Sequence, residues 1–303
     1  CGNSRIFTVV KEEIENIQEI TLEEIPEEIG DKQPQQIRVY LEGDLTDDSF
    51  TKKLQPGKRI YLLGVIKQLP VFMTKNDILE NISDFMIEAI DFGNLGEDDD
   101  IVITEEDEQQ IKEIALNNPL QILSDNIAPE VFGNEFIKQA LVLQSVKGVP
   151  RKRSDGSLTR EDIHVLLIGD PGISKSVTLN SVIKRVPKAR IVVGTKSSRA
   201  GLGAMVVKDE FLGTWGLEIG TLVLSNGSTL AIDELDKMYK ENLSELLEPM
   251  SAGTITIAKA GIHASLPARA SVLASANPVH GNFDLKIPLS RQIDLPSPIL
   301  NRF

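Results

Sequence analysis

The residues Gly169-Asp170-Pro171-Gly172-Ile173-Ser174-Lys175-Ser176 follow directly on the apolar run Val165-Leu166-Leu167-Ile168. Glycine and proline between an apolar run and a lysine–serine pair describe a strand that turns tightly into a helix, as a phosphate-binding loop does. Successive backbone N–H groups and the positive end of the helix would face the anion. Lys175 would reach the β- and γ-phosphates of a nucleotide, and the Ser176 hydroxyl would sit on Mg²⁺. One position departs from the common spacing, because Ser174 stands where a glycine usually precedes the lysine. A second apolar run, Thr229-Leu230-Ala231-Ile232, ends in Asp233-Glu234. Asp233 would hold the metal, and Glu234 would orient or deprotonate an attacking water. Alone, the first element also reads as a Gly-Pro turn with a surface lysine; the acidic strand end downstream argues against that.

Both elements need a sheet to carry them. From residue 163 onward, strand patterns alternate with helical ones, which predicts a parallel sheet with helical cover. Ahead of it, Thr104 is placed to cap a helix over Glu105–Leu116, with Asp107 in its first turn. A further helix is expected around Glu135–Val146, then a polar loop over 150–160 containing Asp155-Gly156. The first 95 residues read differently. Ile37-Arg38-Val39-Tyr40-Leu41 alternates, Gln55-Pro56-Gly57-Lys58 is a turn, and Arg59 to Ile66 is a strand. Turn signals at this spacing suggest a small barrel. Residues 97–100 are an acidic, solvated spacer. Residues 254–266 alternate on either side of Lys259-Ala260-Gly261 and read as a hairpin with its tip near Lys259.

The 303 residues suit two domains, and 41% hydrophobic with 25% charged content is that of an ordinary globular protein. No apolar run approaches the roughly 20 residues of a membrane span. A single cysteine excludes an internal disulfide framework and fits a reducing compartment. The net charge of −13 is uneven: residues 1–120 carry 27 acidic and 11 basic side chains, the remainder 18 and 21. That balance excludes a uniformly basic, nucleic-acid-coating surface but leaves room for a local basic lining. The chain starts at Cys1 rather than Met and stops at Phe303 inside an apparent motif, so it reads as a fragment.

From residue 127 to 303, the motifs resemble one family in order and spacing: the minichromosome maintenance (MCM) replicative helicases, hexameric AAA+ motors. Gly169 to Ser176 is similar to the family's Walker A, in which a small residue replaces the penultimate glycine, as Ser174 does. Ile232-Asp233-Glu234-Leu235-Asp236-Lys237-Met238 resembles its Walker B, Ala274-Ser275-Ala276-Asn277-Pro278 its sensor 1, and Leu300-Asn301-Arg302-Phe303 its arginine-finger motif. Ile127-Ala128-Pro129-Glu130-Val131-Phe132-Gly133 and Arg160-Glu161-Asp162-Ile163-His164 match flanking segments. Gly43-Asp44-Leu45 and Gln55-Pro56-Gly57 resemble parts of the family's oligonucleotide-binding (OB) barrel, and Cys1-Gly2-Asn3 the last cysteine of its zinc ribbon.

The resemblance implies an α/β AAA+ P-loop core, a parallel sheet with helices on both faces, preceded by a small OB-like β-barrel. The implied domains are a barrel with the end of a zinc-ribbon insertion over 1–95, an acidic linker and helix over 96–126, and a core over 127–303 that stops before the helical lid. It implies ATP and Mg²⁺ held by Gly169, Asp170, Pro171, Gly172, Ile173, Ser174, Lys175 and Ser176, with Ser176 and Asp233 on the metal. Lys175, Asp233, Glu234, Asn277 and Arg302 would be catalytic, Asn277 as a sensor of the γ-phosphate or water and Arg302 as a finger into a neighbouring subunit. Lys259 would touch DNA from a channel hairpin, and Cys1 would be one ligand of an incomplete zinc site. Residues 201–224 resemble the family's insertion in the second core helix; the only tryptophan, Trp215, is expected to pack there against its neighbours. His263 has no metal-ligand set around it. Two departures stand out: Asn301 replaces the usual serine, and the barrel-hairpin stretch 66–79 offers only Lys67 and Lys75.

The implied function is a subunit of a ring-shaped, ATP-dependent DNA helicase in replication, hydrolysing ATP at subunit interfaces and moving along DNA with channel hairpins. Its partners would be single-stranded and duplex DNA, five further subunits and loading or activating proteins, with no membrane. It would work in the nucleoid of an archaeal cytoplasm or in a eukaryotic nucleus. Two other readings stay open: another hairpin-insertion motor of magnesium-chelatase type, and a non-hydrolysing ring-assembly subunit.

Overall fold

A computed structural model describes residues 15–25, 34–47, 54, 57–68, 85–95, 103–152, 154–155, 158–208 and 215–303. The chain divides into two compact units, residues 1–102 and 103–303.

The first unit contains β1 (Ile17–Glu23), β2 (Gln36–Glu42), β3 (Ile60–Gln68) and β4 (Phe85–Asn94) in the order β1-β2-β4-β3. The outer pairs are antiparallel and β2 runs parallel to β4. Val39, Leu41, Ala89 and Phe92 form its buried centre. Gly43, at φ +57°, opens a short 3-10 turn that the Thr46 hydroxyl closes by donating to the Gly43 carbonyl at 2.7 Å. The described pairings make a four-stranded sheet, and a β1–β3 pair that would close it into a barrel is not among them. Cys1, the linker 97–100 and most of the stretch 66–79 lie outside the described residues.

The second unit opens with the helix Glu105–Leu116, capped as the sequence indicates. Thr104 Oγ1 accepts from the Asp107 N–H at 3.2 Å, and Asp107 accepts in turn from the Thr104 N–H at 2.9 Å, which satisfies two orphan donors reciprocally. Helices Pro119–Asn126 and Glu135–Val146 follow, then a two-residue ribbon of β5 (Arg151–Lys152) and β6 (Leu158–Thr159). The remaining strands are β7 (Val165–Ile168), β8 (Arg190–Val193), β9 (Ala204–Lys208), β10 (Trp215–Ile219), β11 (Thr229–Asp233), β12 (Thr254–Lys259), β13 (Ile262–Pro267) and β14 (Ser271–Ala276).

Strands β7, β14, β11 and β8 lie in that order, all parallel. All six residues of β14 are buried, as a sheet covered on both faces requires. Alternate side chains sort to opposite faces. Leu230, Ile232, Val272 and Ala274 join the cluster with Leu202, Leu222, Leu246, Met250 and Ile299. Ala231 and Leu273 face Leu141, Val142, Leu179 and Val182 of the other. β9 and β10 form a hairpin between the short helices Arg199–Leu202 and Thr221–Leu224, while β12 and β13 form a second.

His164 locks the amino-terminal end of β7 to its neighbour. Its Nδ1 accepts from the Val272 N–H at 3.0 Å, which leaves the proton on Nε2, 3.2 Å from the Met250 carbonyl. Burial, foremost, holds its pKa down at about 4 rather than the ordinary 6.5. The unfolded chain therefore takes up this proton first as pH falls. The stabilisation is complete above 6.5 and disappears between 6.5 and 4, with about 2 kcal/mol gone at pH 5. Urea titrations at pH 7.5 and pH 5 should show the parent losing that much more stability than His164→Gln; equal losses would mean that the imidazole does not carry the effect.

Candidate phosphate-binding site

The loop from β7 begins where the Gly169 N–H donates to the Ala276 carbonyl at the end of β14, 3.3 Å away. Gly172 sits at φ +81° with open space where a Cβ would be. Ser174 adopts φ +63°, ψ 24° immediately before the helix Lys175–Ile183. This is the position where glycine is customary, and serine holds it at a cost of roughly 1 kcal/mol. The Lys175 ammonium arches back to donate to the carbonyls of Gly169 and Asp170, both at 2.7 Å. Burial lowers its pKa, while Asp236, Asp170 and Asp233, in that order, pull it back up. Ser176 is exposed in the first turn of the helix.

The acidic strand end lies one strand removed in the sheet, across β14. Asp233 Oδ1 accepts from the Ser275 hydroxyl and, at 3.1 Å, from the Glu234 N–H. Glu234 has a left-handed backbone, φ 58° and ψ 47°, and its carboxylate meets Lys237 Nζ at 2.5 Å. That bond raises the pKa of Lys237. Asp236 Oδ1 accepts from the Asn277 N–H at 3.0 Å, fixing the residue that follows β14. Lys175, Asp233, Glu234 and Asn277 thus gather at the carboxyl ends of parallel strands, where open α/β sheets bind ligands.

Ser275, Asp236, Lys237 and Gly194 belong to this arrangement, although the motifs single out none of them for a role. Ser275 is the second of two hydroxyls in the otherwise apolar β14, a signal legible in the sequence. Gly194 follows β8, and a Cβ there would collide with the Glu234 carbonyl. Nothing in the sequence separates it from any other strand-end glycine.

Two expected site residues lie elsewhere. The Arg302 carbonyl accepts from Arg160 Nη2 at 3.2 Å, Arg160 Nη1 donates to the Met250 carbonyl at 2.8 Å, and the Phe303 ring meets His164 edge-on at 6.4 Å. His164 precedes β7, so Arg302 is at the opposite end of the sheet from Gly169. Lys259 ends β12, exposed, and pairs with Ile262 across a two-residue turn. Ala260 and Gly261 in that turn have φ +51° and +82°, both positive as a primed hairpin turn demands. Trp215 is half exposed opposite Lys208 at the start of β10.

Among the described residues, no group of three or more His, Cys, Asp or Glu side chains is placed to hold a metal, and no helix is long and apolar enough to cross a membrane. Cys1 lies outside the described residues.

The family model for the MCM P-loop domain matches residues 107–303. The chain belongs to the MCM family. It is 38% identical to the minichromosome maintenance protein MCM of Saccharolobus solfataricus, over all of this chain and 44% of that protein. It is 36% identical to the DNA replication licensing factor MCM3 of Oryza sativa subsp. indica, over 96% of the chain and 37% of that protein. The corresponding rice factor MCM7 is 34% identical over 94% and 39%. The chain therefore spans less than half the length of these curated relatives.

In this MCM chain, Gly194→Ala should push the end of β8 away from Glu234, because the obstructing atom is backbone. A loss of about 1–3 kcal/mol in denaturant unfolding is expected, as for other overpacked sites. A variant as stable as the parent would show that the two segments separate freely.

Proposed function

We propose that the chain is part of an ATP-hydrolysing DNA helicase subunit. The observation that carries this reading is the convergence, in an MCM chain, of Lys175, the Asp233–Glu234 pair and Asn277 on one edge of a parallel sheet. The residues present fit a magnesium nucleotide. Mg²⁺ takes hard oxygen donors in small number and keeps waters and phosphates for the rest. One carboxylate from Asp233 and one hydroxyl from Ser176 are such a set. Bound Mg²⁺ would supply charge neutralisation at the phosphates.

The chain's own groups would do the rest. The loop N–H groups and the helix end receive the phosphates, and Lys175 exchanges its carbonyl partners for phosphate oxygens. Asp233, held by Ser275, is kept oriented. Glu234 leaves Lys237 to receive a proton from water at its carboxylate. Asn277 positions that water or the terminal phosphate. Gly169, Asp170, Pro171, Gly172, Ile173 and Ser174 shape the cradle.

In this reading six subunits form a ring, and Arg302 reaches a neighbour's phosphates. Six copies of Lys259 make a positive collar around a phosphate track. The hairpin β9–β10 lies in the same channel. The first unit is part of an OB-like barrel, and Cys1 belongs to a zinc site completed by other ligands. The relatives' names, a maintenance protein and two replication licensing factors, support work on chromosomal DNA in replication together with loading proteins.

Steady-state ATP hydrolysis with and without single-stranded DNA tests the proposal. Lys175→Ala and Arg302→Ala should each lower turnover by at least about 100-fold, the scale of a lost phosphate contact or finger. An equal mixture should recover part of it, because some interfaces then pair an intact loop with an intact arginine. Hydrolysis indifferent to DNA would favour another motor of the hairpin-insertion group. ATP binding without any turnover would favour a ring-assembly subunit.

A further inference from the structure

The Asp170 carboxylate sits inside the phosphate loop, yet a negative side chain aimed at a polyphosphate would repel it. The structure gives it another partner. Asp170 Oδ1 accepts from the Phe283 N–H at 2.8 Å, across 113 positions of sequence. Phe283 belongs to the segment 278–292, which follows Asn277 directly.

That segment is built as one piece around Gln292, whose side chain is buried. The Gln292 amide donates to the carbonyls of Asp284 at 2.9 Å and Ile287 at 2.7 Å, and its Oε1 accepts from the Asp284 N–H at 2.7 Å. Its own carbonyl accepts from the Val279 N–H at 2.9 Å. Gly281, at φ +83°, makes the turn. A movement of Phe283 is therefore passed to Val279 and, two residues earlier, to Asn277. From the other side, Asp236 holds the Asn277 N–H.

We propose that Asp170 is a positioning residue: its carboxylate clamps the segment after Asn277 to the phosphate loop and so sets the distance between Asn277 and the bound phosphates. The proposal rests on the hydrolytic reading above. It assigns the side chain an acceptor's role, while the backbone of the same residue serves the cradle.

Three substitutions separate acceptor from charge. Asp170→Asn keeps an oxygen at the same place and removes the charge; Asp170→Ala removes both; Asp170→Glu keeps the charge and displaces the oxygen by a methylene. Amide hydrogen exchange of the segment 278–292, without nucleotide, reads the clamp directly. Loss of one such hydrogen bond should speed exchange at Phe283 by about tenfold in the Ala and Glu variants and leave Asp170→Asn near the parent. In ATP hydrolysis the Ala variant should lose about 10- to 100-fold in kcat, as for a misplaced group, with KM changed less than about threefold and substantial rescue by Asn.

Exchange unaltered in Ala and Glu would overturn the proposal, as would Asn behaving like Ala. The Glu–Asn comparison decides the matter even where Asp170→Ala fails to fold. A parent without ATPase activity would sink the hydrolytic reading, while the exchange data would still judge the clamp.

Discussion

Everything at this site depends on the register of parallel strands that end together. Ile232 lies beside Ala274, and Ala276 beside Ile168, so the residue after each strand emerges on the same edge. Gly169 and Asn277 are those residues of β7 and β14, and Asp233 is the last residue of β11. A slip of one position in β14 would turn Ser275 from Asp233 toward a covering helix and move a bare alanine to the edge. The buried sides of β11 and β14 oppose such a slip, since Leu273 and Val272 would exchange clusters. Packing within the sheet thus enforces the geometry of groups that contribute little to packing themselves.

Charge is distributed with the same economy. Three aspartates surround the ammonium of Lys175 and oppose its desolvation. All three accept from backbone N–H groups, and Asp233 accepts from the Ser275 hydroxyl as well. Each carboxylate is therefore oriented by a partner other than the lysine. Lys175 can change its own partners without releasing them, which is what a group that must meet an incoming phosphate requires.

Much of this was legible from local sequence. The Thr104 cap, the helix Glu135–Val146, the strands that end at Ile168 and Asp233, and the hairpin around Lys259 all follow from periodicity, capping and turn chemistry. What stayed hidden comes from long-range register. The Phe283 N–H and Asp170 are 113 residues apart, and a main-chain donor has no sequence signature. The close approach of Gly194 to Glu234 is equally silent, because it arises only when β8 and β11 lie side by side.

The position of Arg302 bears on how such a site would be completed. Its charge lies close enough to His164 to depress that residue's protonation, and its carbonyl is fixed by Arg160. His164 and Gly169 flank β7 at its two ends, so about 16 Å of extended chain separates them. The local contacts of Arg160, Phe303 and Met250 hold the arginine at the far end. On the function proposed above, the phosphate that Arg302 meets belongs to another copy of the chain. Hydrolysis would then depend on contact between subunits, and each subunit would carry the loop on one end of its sheet and the completing guanidinium on the other. Arg160 also binds the Met250 carbonyl, four residues before the β12–β13 hairpin begins. The element that would complete a neighbour's site and the element that would touch DNA are therefore braced by the same guanidinium.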